Sequence, residues 1–579
     1  MLTEFGEKLD RTLPLPEHPR PQMQRENWMN LNGQWDYAIT GKNAGETVPE
    51  EWDGKILVPF SPEAPLSGVE RFVDENHTLW YRRALPLPEG WNAETHRYLL
   101  HFDAVDQEAF IYINGKQAGY HMGGYTAFCV DVTEYLLPEN NTLVVRVHDD
   151  TDHSWHSRGK QSSKRGGIWY TPQSGIWQTV WMEAVPSEYI TALQMTPDID
   201  KGVLKITLSA NGGGECKLFC EGAEHIISVN EPSEIPVREM HLWSPEEPCL
   251  YPVEILYGED RIKTYFAMRK TEVRADSRGV KRLFLNNKPY FHNGLLDQGY
   301  WPDGLYTPPS DEAMENDIRT MKELGFNMLR KHIKVEPMRW YYHCDRLGML
   351  VWQDMVNGGG LYKFGVISVP LVSGIHLRDR HYRAFAREAD EGRREYVNEL
   401  EEMINQLKNV PSIVLWVPFN EGWGQFDSAE ACQLIDKLDG SRPIDHASGW
   451  HDQKIGDIQS LHVYFRPYKF RRDRKKRAVV LSEFGGYNLP VEGHTWNDAN
   501  FGYKGFKTAE EFWQAYEKLF EEQILPAVPK GLAATVYTQV TDVEDEVNGL
   551  MTYDRRVVKV PAEKIRILNE KLIALGNKE

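Results

Sequence analysis

Eight short apolar runs, alternating with helical stretches from residue 275 onward, constrain this chain more than any other feature. The runs are PYFHNGL, FNMLRKHI, MLVWQDM, SIVLWVPFNE, PIDHASGW, SLHVYF, AVVLSEF and AATVYTQV. Several are apolar on both faces, as strands must be when helices cover both sides of a parallel sheet. Helices are predicted between them at 310–324, near 336–348, at 387–409 and at 427–438. Ser310 is the expected N-cap of the first, with Met314, Ile318 and Met321 at helical spacing. Eight such units imply a (β/α)8 barrel. The connections 451–458 and 466–477 are too short or too charged for a full helix, so the barrel should be irregular on that side.

The preceding residues lack this rhythm. RYLLHFDAV, EAFIYING and NTLVVRVHD alternate with period two, and Asn114-Gly115, Gly123-Gly124 and Asn140-Asn141 supply turns. Many short strands without helices predict a β jelly roll over 1–186. A second strand set (GVLKITLSA, CKLFCEG, EIPVREM, YPVEILYG, IKTYFAMRK) predicts an immunoglobulin-like β-sandwich over 187–272. The barrel then occupies 273–579. A chain of 579 residues exceeds a single core, so a multidomain architecture is expected in any case.

A formal net charge of −19 argues against nucleic acid or an anionic membrane surface as partner. No run approaches the ~18 apolar residues of a membrane span. The opening MLTEFGEKLDRTLPLP has early acidic residues and no apolar stretch, so no secretory leader is expected and a cytoplasmic location is. Cys129, Cys216, Cys220, Cys249, Cys344 and Cys432 are scattered, which suggests neither a zinc site nor a disulfide framework. The 18 Trp and 27 Tyr suit stacking on sugar rings and equally suit sandwich cores. Eight basic residues between Arg466 and Arg477 could guide an acidic glycan, but a charge run is usually a solvated face. Association into a homo-oligomer stays open.

Barrel active sites sit at the C-terminal strand ends. The polar residues ending the runs are His292 and Asn293, Arg330 and His332, Asp354, Asn420 and Glu421, Ser448 and Trp450, His462 and Tyr464, Glu483, then Gln539 and Asp542. One glutamate at a strand end could be a structural ion-pair partner. Two, on runs that face each other across the barrel mouth, can perform a complete glycoside hydrolysis. One attacks the anomeric carbon, and the other protonates the leaving oxygen and then activates water.

LWVPFNEGWGQF (415–426) and VVLSEFGG (479–486) resemble the acid/base and nucleophile segments of glycoside hydrolase family 2, the family of bacterial β-galactosidases, β-glucuronidases and β-mannosidases. WMNLNGQWDY (28–37), LWYRRALPLP (79–88), IYINGKQAGYHMGGYTAF (111–128) and GGIWYTPQSGIWQTVWME (166–183) resemble its N-terminal jelly roll. NNKPYFHNG (286–294) and EPMRWYYHCDRLGMLVWQDM (336–355) also fit. The resemblance implies Glu421 as acid/base, Glu483 as nucleophile, Asn420 on the sugar 2-hydroxyl, and Tyr464 as hydrogen-bond donor to the nucleophile. Trp416 and Trp423 are the expected apolar neighbours that keep Glu421 protonated.

The departures concern the sugar. Arg330-Lys331-His332-Ile333-Lys334 replaces the Arg-Ser-His-Tyr-Pro-like segment. Asn357-Gly358-Gly359-Gly360 stands where bacterial β-galactosidases carry magnesium ligands, so no metal and no cofactor is expected. The glucuronidase Asn-x-Lys pattern is not evident, and Tyr537 and Gln539 replace a tryptophan platform. The expected activity is a retaining exo-glycosidase acting on an oligosaccharide or glycoside. β-Galactosidase leads; β-glucuronidase, β-mannosidase, β-xylosidase and α-L-arabinofuranosidase follow, and an inactive carbohydrate-binding protein is the alternative. His462, His332, Asp354, Trp450 and Gln539 are expected to bind substrate. In GLLDQGYWPDGL (294–305), Asp297 is expected to accept sugar hydroxyls and Trp301 to offer a stacking face.

Overall fold

The computed structural model describes residues 1–45, 47–88, 91 and 95–578. The barrel strands are His292–Asp297, Met328–Lys331, Leu350–Asp354, Ile413–Val417, Ile458–Val463, Ala478–Gly485 and Leu532–Thr538. They form one parallel sheet in the order fourth, third, second, first, eighth, seventh and sixth run. The fifth run, PIDHASGW, joins only through isolated bridges, Trp416 to Ile444 and Asn420 to Ser448. On its other side Asp457 N donates to Ile444 O at 3.1 Å, which closes the ring. Pro443 supplies no amide hydrogen and Gly449 has φ +92, so this segment does not hold extended geometry long enough to pair as a regular strand.

Helices pack outside the strands because each carries one apolar face. Asp311–Glu323 buries Ala313, Met314, Ile318 and Met321, and Ser310 Oγ accepts from Ala313 N at 3.1 Å. That cap contributes about 1 kcal/mol. Met338–Leu347, Asp390–Leu407 and Ser428–Leu438 follow, with no helix at 451–458 or 466–477.

Upstream of the barrel all sheets are antiparallel. A four-stranded sheet contains Val180–Pro186 and His96–Phe102, and a six-stranded sheet contains His77–Leu85 and Asn141–His148. Their inner faces share a core of Trp35, Leu79, Tyr81, Leu100, Ile111 and Val145. A three-stranded and a four-stranded sheet follow, enclosing Leu204, Ile206, Leu218, Ile255 and Ile262. This second unit holds Ile190–Asp198 and Ala223–Ser228 in addition to the expected strands.

A loop of the jelly roll reaches the barrel mouth. Ser157 bridges Gly358, Arg158 N donates to Asn357 O at 2.9 Å, and Thr171 N donates to Glu544 Oε1 at 2.9 Å. A Cβ on Gly358 would lie 2.1 Å from His156 O, so Gly358 is what lets the two backbones meet.

Candidate active site

Glu421 follows the buried strand Ile413–Val417. Its N–H donates to Ser448 O at 2.9 Å, and its φ of +52 is left-handed. A side chain in that region costs of order 1–3 kcal/mol and turns the carboxylate inward. Gly422 continues the turn against His451, which a Cβ would approach to 2.4 Å. Glu483 lies inside Ala478–Gly485, every residue of which is buried. A register shift between Leu461 and His462 inserts Ser482 as an unmatched residue and places His462 opposite Glu483. A bulge here re-aims both side chains at the barrel axis.

One oxygen of Glu421, one of Glu483 and a ring nitrogen of His462 all lie within 4.8 Å of one another. His462 Nδ1 is 2.7 Å from Glu421 Oε1, and its Nε2 is 2.9 Å from Ser448 Oγ and 3.5 Å from Glu483 Oε1. Tyr464 Oη donates to Glu483 Oε2 at 2.5 Å. Arg330, fully buried, donates to Glu483 Oε1 at 3.1 Å, to both oxygens of Asp354 at 3.0 and 2.9 Å, and to Asn420 Oδ1 at 2.9 Å.

These surroundings move the two carboxyls apart. Burial, then the charge of Glu483, raises Glu421 above the usual carboxylate range. Burial also opposes ionisation of Glu483, but His462, Arg330, His332 and the Tyr464 hydroxyl outweigh it and hold that group below the usual range. Tyr464 is pushed well above the usual phenol range by burial and by Glu483, so it remains a donor. A pair whose environments separate in this way has one proton donor and one anion at neutral pH.

Glu421, His462 and Glu483 are compact enough to coordinate a cation. The Arg330 guanidinium 3.1 Å from Glu483 already supplies that charge and would repel a metal ion. Activity should therefore survive exhaustive chelation; a large loss restored by added metal would show that the cluster is a metal site.

Several expected residues do converge. His332 Nδ1 is 2.8 Å from Asp354 Oδ2, and its ring meets Trp423 edge-on at 6.2 Å. Trp450 contacts His462 edge-on at 5.5 Å, and its buried Nε1 has no partner. Asn420 Nδ2 is likewise buried without a partner, a donor available to a substrate hydroxyl.

Others serve differently. Asp297 pairs with Lys331 Nζ at 2.7 Å and accepts from Gly299 N at 3.0 Å, so each of its oxygens already braces the loop. Trp301 is 4% exposed, and the Arg555 guanidinium covers its ring at 3.9 Å, so no face is open for stacking. Gln539 is held at both ends, by Gln298 at 2.8 Å and Asn548 at 2.7 Å, and braces the eighth strand. Trp416 points outward, its Nε1 donating to Asp439 at 2.9 Å, so Trp423 alone of the expected pair lines the mouth. His292 and Asn293 begin the first strand instead of ending it, and bond Trp352 and Asn569 at its base.

The sequence reading missed Tyr503, stacked on Tyr464 at 3.8 Å, and Lys160, brought in by the jelly-roll loop. The available signal for Lys160 was the basic cluster Arg158, Lys160, Lys164 and Arg165 inside a sheet domain of an acidic chain.

Residues 280–485 match the model of the glycosyl hydrolases family 2 TIM barrel domain, and residues 65–186 match that family's sugar binding domain. An inferred β-glucuronidase of Formosa agariphila is 26% identical over 81% of this chain and 58% of its own length. A β-galactosidase of Thermoanaerobacter pseudethanolicus is 24% identical over 73% and 56%. The chain thus spans little more than half the length of these curated relatives. The structure of a Ruminococcus gnavus β-glucuronidase superposes with a TM-score of 0.75 at 17% identity, covering 96% of this chain and 99% of that one, which shows a shared fold. With the two family models together covering more than half of its residues, the chain belongs to glycoside hydrolase family 2.

Proposed function

We propose that this glycosidase works by retaining double displacement, removing one terminal sugar, with Glu483 as nucleophile and Glu421 as acid/base. The observation that carries this reading is the approach of the two carboxylates, with oxygens inside 4.8 Å of each other. Retaining enzymes hold the two carboxyls ~5–5.5 Å apart, whereas inverting enzymes need ~6.5–9.5 Å to admit a water. Glu483, kept ionised by Arg330 and Tyr464, attacks the anomeric carbon. Glu421, kept protonated by burial, hands its proton to the leaving oxygen. In the second step Glu421 takes a proton from water, which attacks the same face. His462 positions Glu421, and Asn420 Nδ2 supplies a donor for the 2-hydroxyl.

The intact pair and its opposed ionisation speak against an inactive binding protein. The sequence led with β-galactosidase, while the relatives carry both β-galactosidase and β-glucuronidase names, so the sugar rests on the charges lining the site. All six cysteines are free, which supports a reducing compartment. Among the described residues no helix is long and apolar enough to cross a membrane. Time-resolved NMR of the released sugar tests the stereochemistry. A β-glycoside substrate should yield the β-anomer first, with the α-anomer following by mutarotation; an α-anomer formed first would require an inverting mechanism.

A further inference from the structure

Most buried cations near the barrel mouth, among the described residues, are committed to protein acceptors: Arg158 and Arg387 donate to backbone carbonyls, and four others pair with carboxylates. Arg330 has Asp354 and Glu483, Lys331 has Asp297 and Glu336, Lys334 has Glu336, and Lys559 has Asp542. Lys160 is 5% exposed, yet among the described residues no carboxylate stands within ion-pair distance of its ammonium and no atom accepts a hydrogen bond from it. Its Nζ lies instead over two rings, 5.5 Å from the centroid of Tyr170 and 5.8 Å from that of Trp423. Trp423 touches His332 and, at 5.5 Å, Trp169, so the ammonium stands on the wall of the catalytic pocket. Its charge is felt by Glu421 and by His332.

The loop that carries it is fastened on both sides. His156 Nδ1 is 2.6 Å from Glu395, Arg158 bonds the carbonyls of Gly359 and Gly360, and Thr171 bonds Glu544. Lys160 is therefore not a surface side chain that happens to lean inward. An ammonium held against two aromatic faces with no anion beside it offers a ready counter-charge to an anionic group that enters the pocket.

We propose that Lys160 is the specificity-determining residue of this site, its ammonium pairing with a carboxylate on the terminal sugar, so that the preferred substrates are uronides. The assignment rests on the reading of Glu421 and Glu483 as the hydrolytic pair. It places recognition of the acid group on the jelly-roll loop and leaves the chemistry to the barrel.

The test compares nitrophenyl glycosides that differ only at C6: β-galacturonide with β-galactoside, and β-glucuronide with β-glucoside. The full chain should favour the acid member of at least one pair in kcat/KM. Lys160→Met should shrink that preference by about 30- to 100-fold, the scale of one charge-assisted bond in a dry site, and Lys160→Arg should recover part of it. Calorimetry with free galacturonate, glucuronate, galactose and glucose gives a readout independent of turnover. The acids should bind the full chain and bind Lys160→Met about tenfold or more weakly. A neutral preference in both pairs, or a ratio unchanged in Lys160→Met, would overturn the assignment. If no glycoside is cleaved at all, the hydrolytic reading fails, while the calorimetry still decides the role of Lys160.

Discussion

Glu483→Ala should be inactive on every glycoside, while Glu421→Ala should still release dinitrophenol in a burst and then stall. The two variants differ because the groups act on different bonds. A nucleophile is needed whatever the leaving group; an acid is needed only when the leaving group is poor. In Glu421→Ala the glycosyl-enzyme then waits for water with no base beside it. Azide needs no base, so it should accelerate turnover of this variant and give the β-configured glycosyl azide from a β-glycoside. With Glu483→Ala azide enters from the vacated side and should give the α-product. The expected losses are large, on the order of 10⁴-fold or more for Glu483→Ala, since residues that act as a unit fail together. The opposite pattern of azide products would exchange the two roles.

Substitution of Arg330 should be the most damaging change outside the catalytic pair. It is fully buried and joins Asp354, Asn420, the Ser482 carbonyl and Glu483 through one guanidinium. Arg330→Met removes the guanidinium shared by two buried carboxylates, a loss of about 3–5 kcal/mol that should lower Tm by several degrees. Arg330→Lys keeps the charge but not the fork, so it should fold better and report on catalysis. The sign follows from Glu483: its ionised form is favoured in part by Arg330, so weakening that contact raises its pKa. The acid limb of kcat/KM should then move to higher pH, while the alkaline limb, set by Glu421 losing its proton, should move little. The limbs report the pair and not either residue alone. An acid limb that stays in place in a folded Arg330→Lys enzyme would mean that Tyr464 and His462 suffice to keep Glu483 ionised.

Much of the architecture was readable because the signals are local. Ser310 caps its helix, the helices at 311–323, 338–347, 390–407 and 428–438 fall where the periodicity places them, and 451–458 and 466–477 form none. The two glutamates stood out because each ends a run buried on both faces. The first run was misphased: its apolar stretch continues through Leu295 and Leu296, so the polar His292 and Asn293 lie at its base. Trp301 and Asp297 lay in the right loop, but Arg555 and Lys331 come from elsewhere in the chain to occupy them.

The order of apolar runs and breaks determined by itself the sheet units, the barrel and the two carboxylates at its mouth, because alternation, helical spacing and run length act over a few residues. The resemblance implied which of those carboxylates keeps a proton, but only the tertiary structure supplies the physical cause. That depends on Arg330 from the second strand meeting His462 and Tyr464 from the sixth at one point. It also decided that Lys160 lies in the barrel site at all, since a jelly-roll loop reaches the mouth only where Gly358 leaves room for the His156 backbone. No local pattern encodes that meeting, because its two sides are far apart in the chain and each is an ordinary loop until the other is in place.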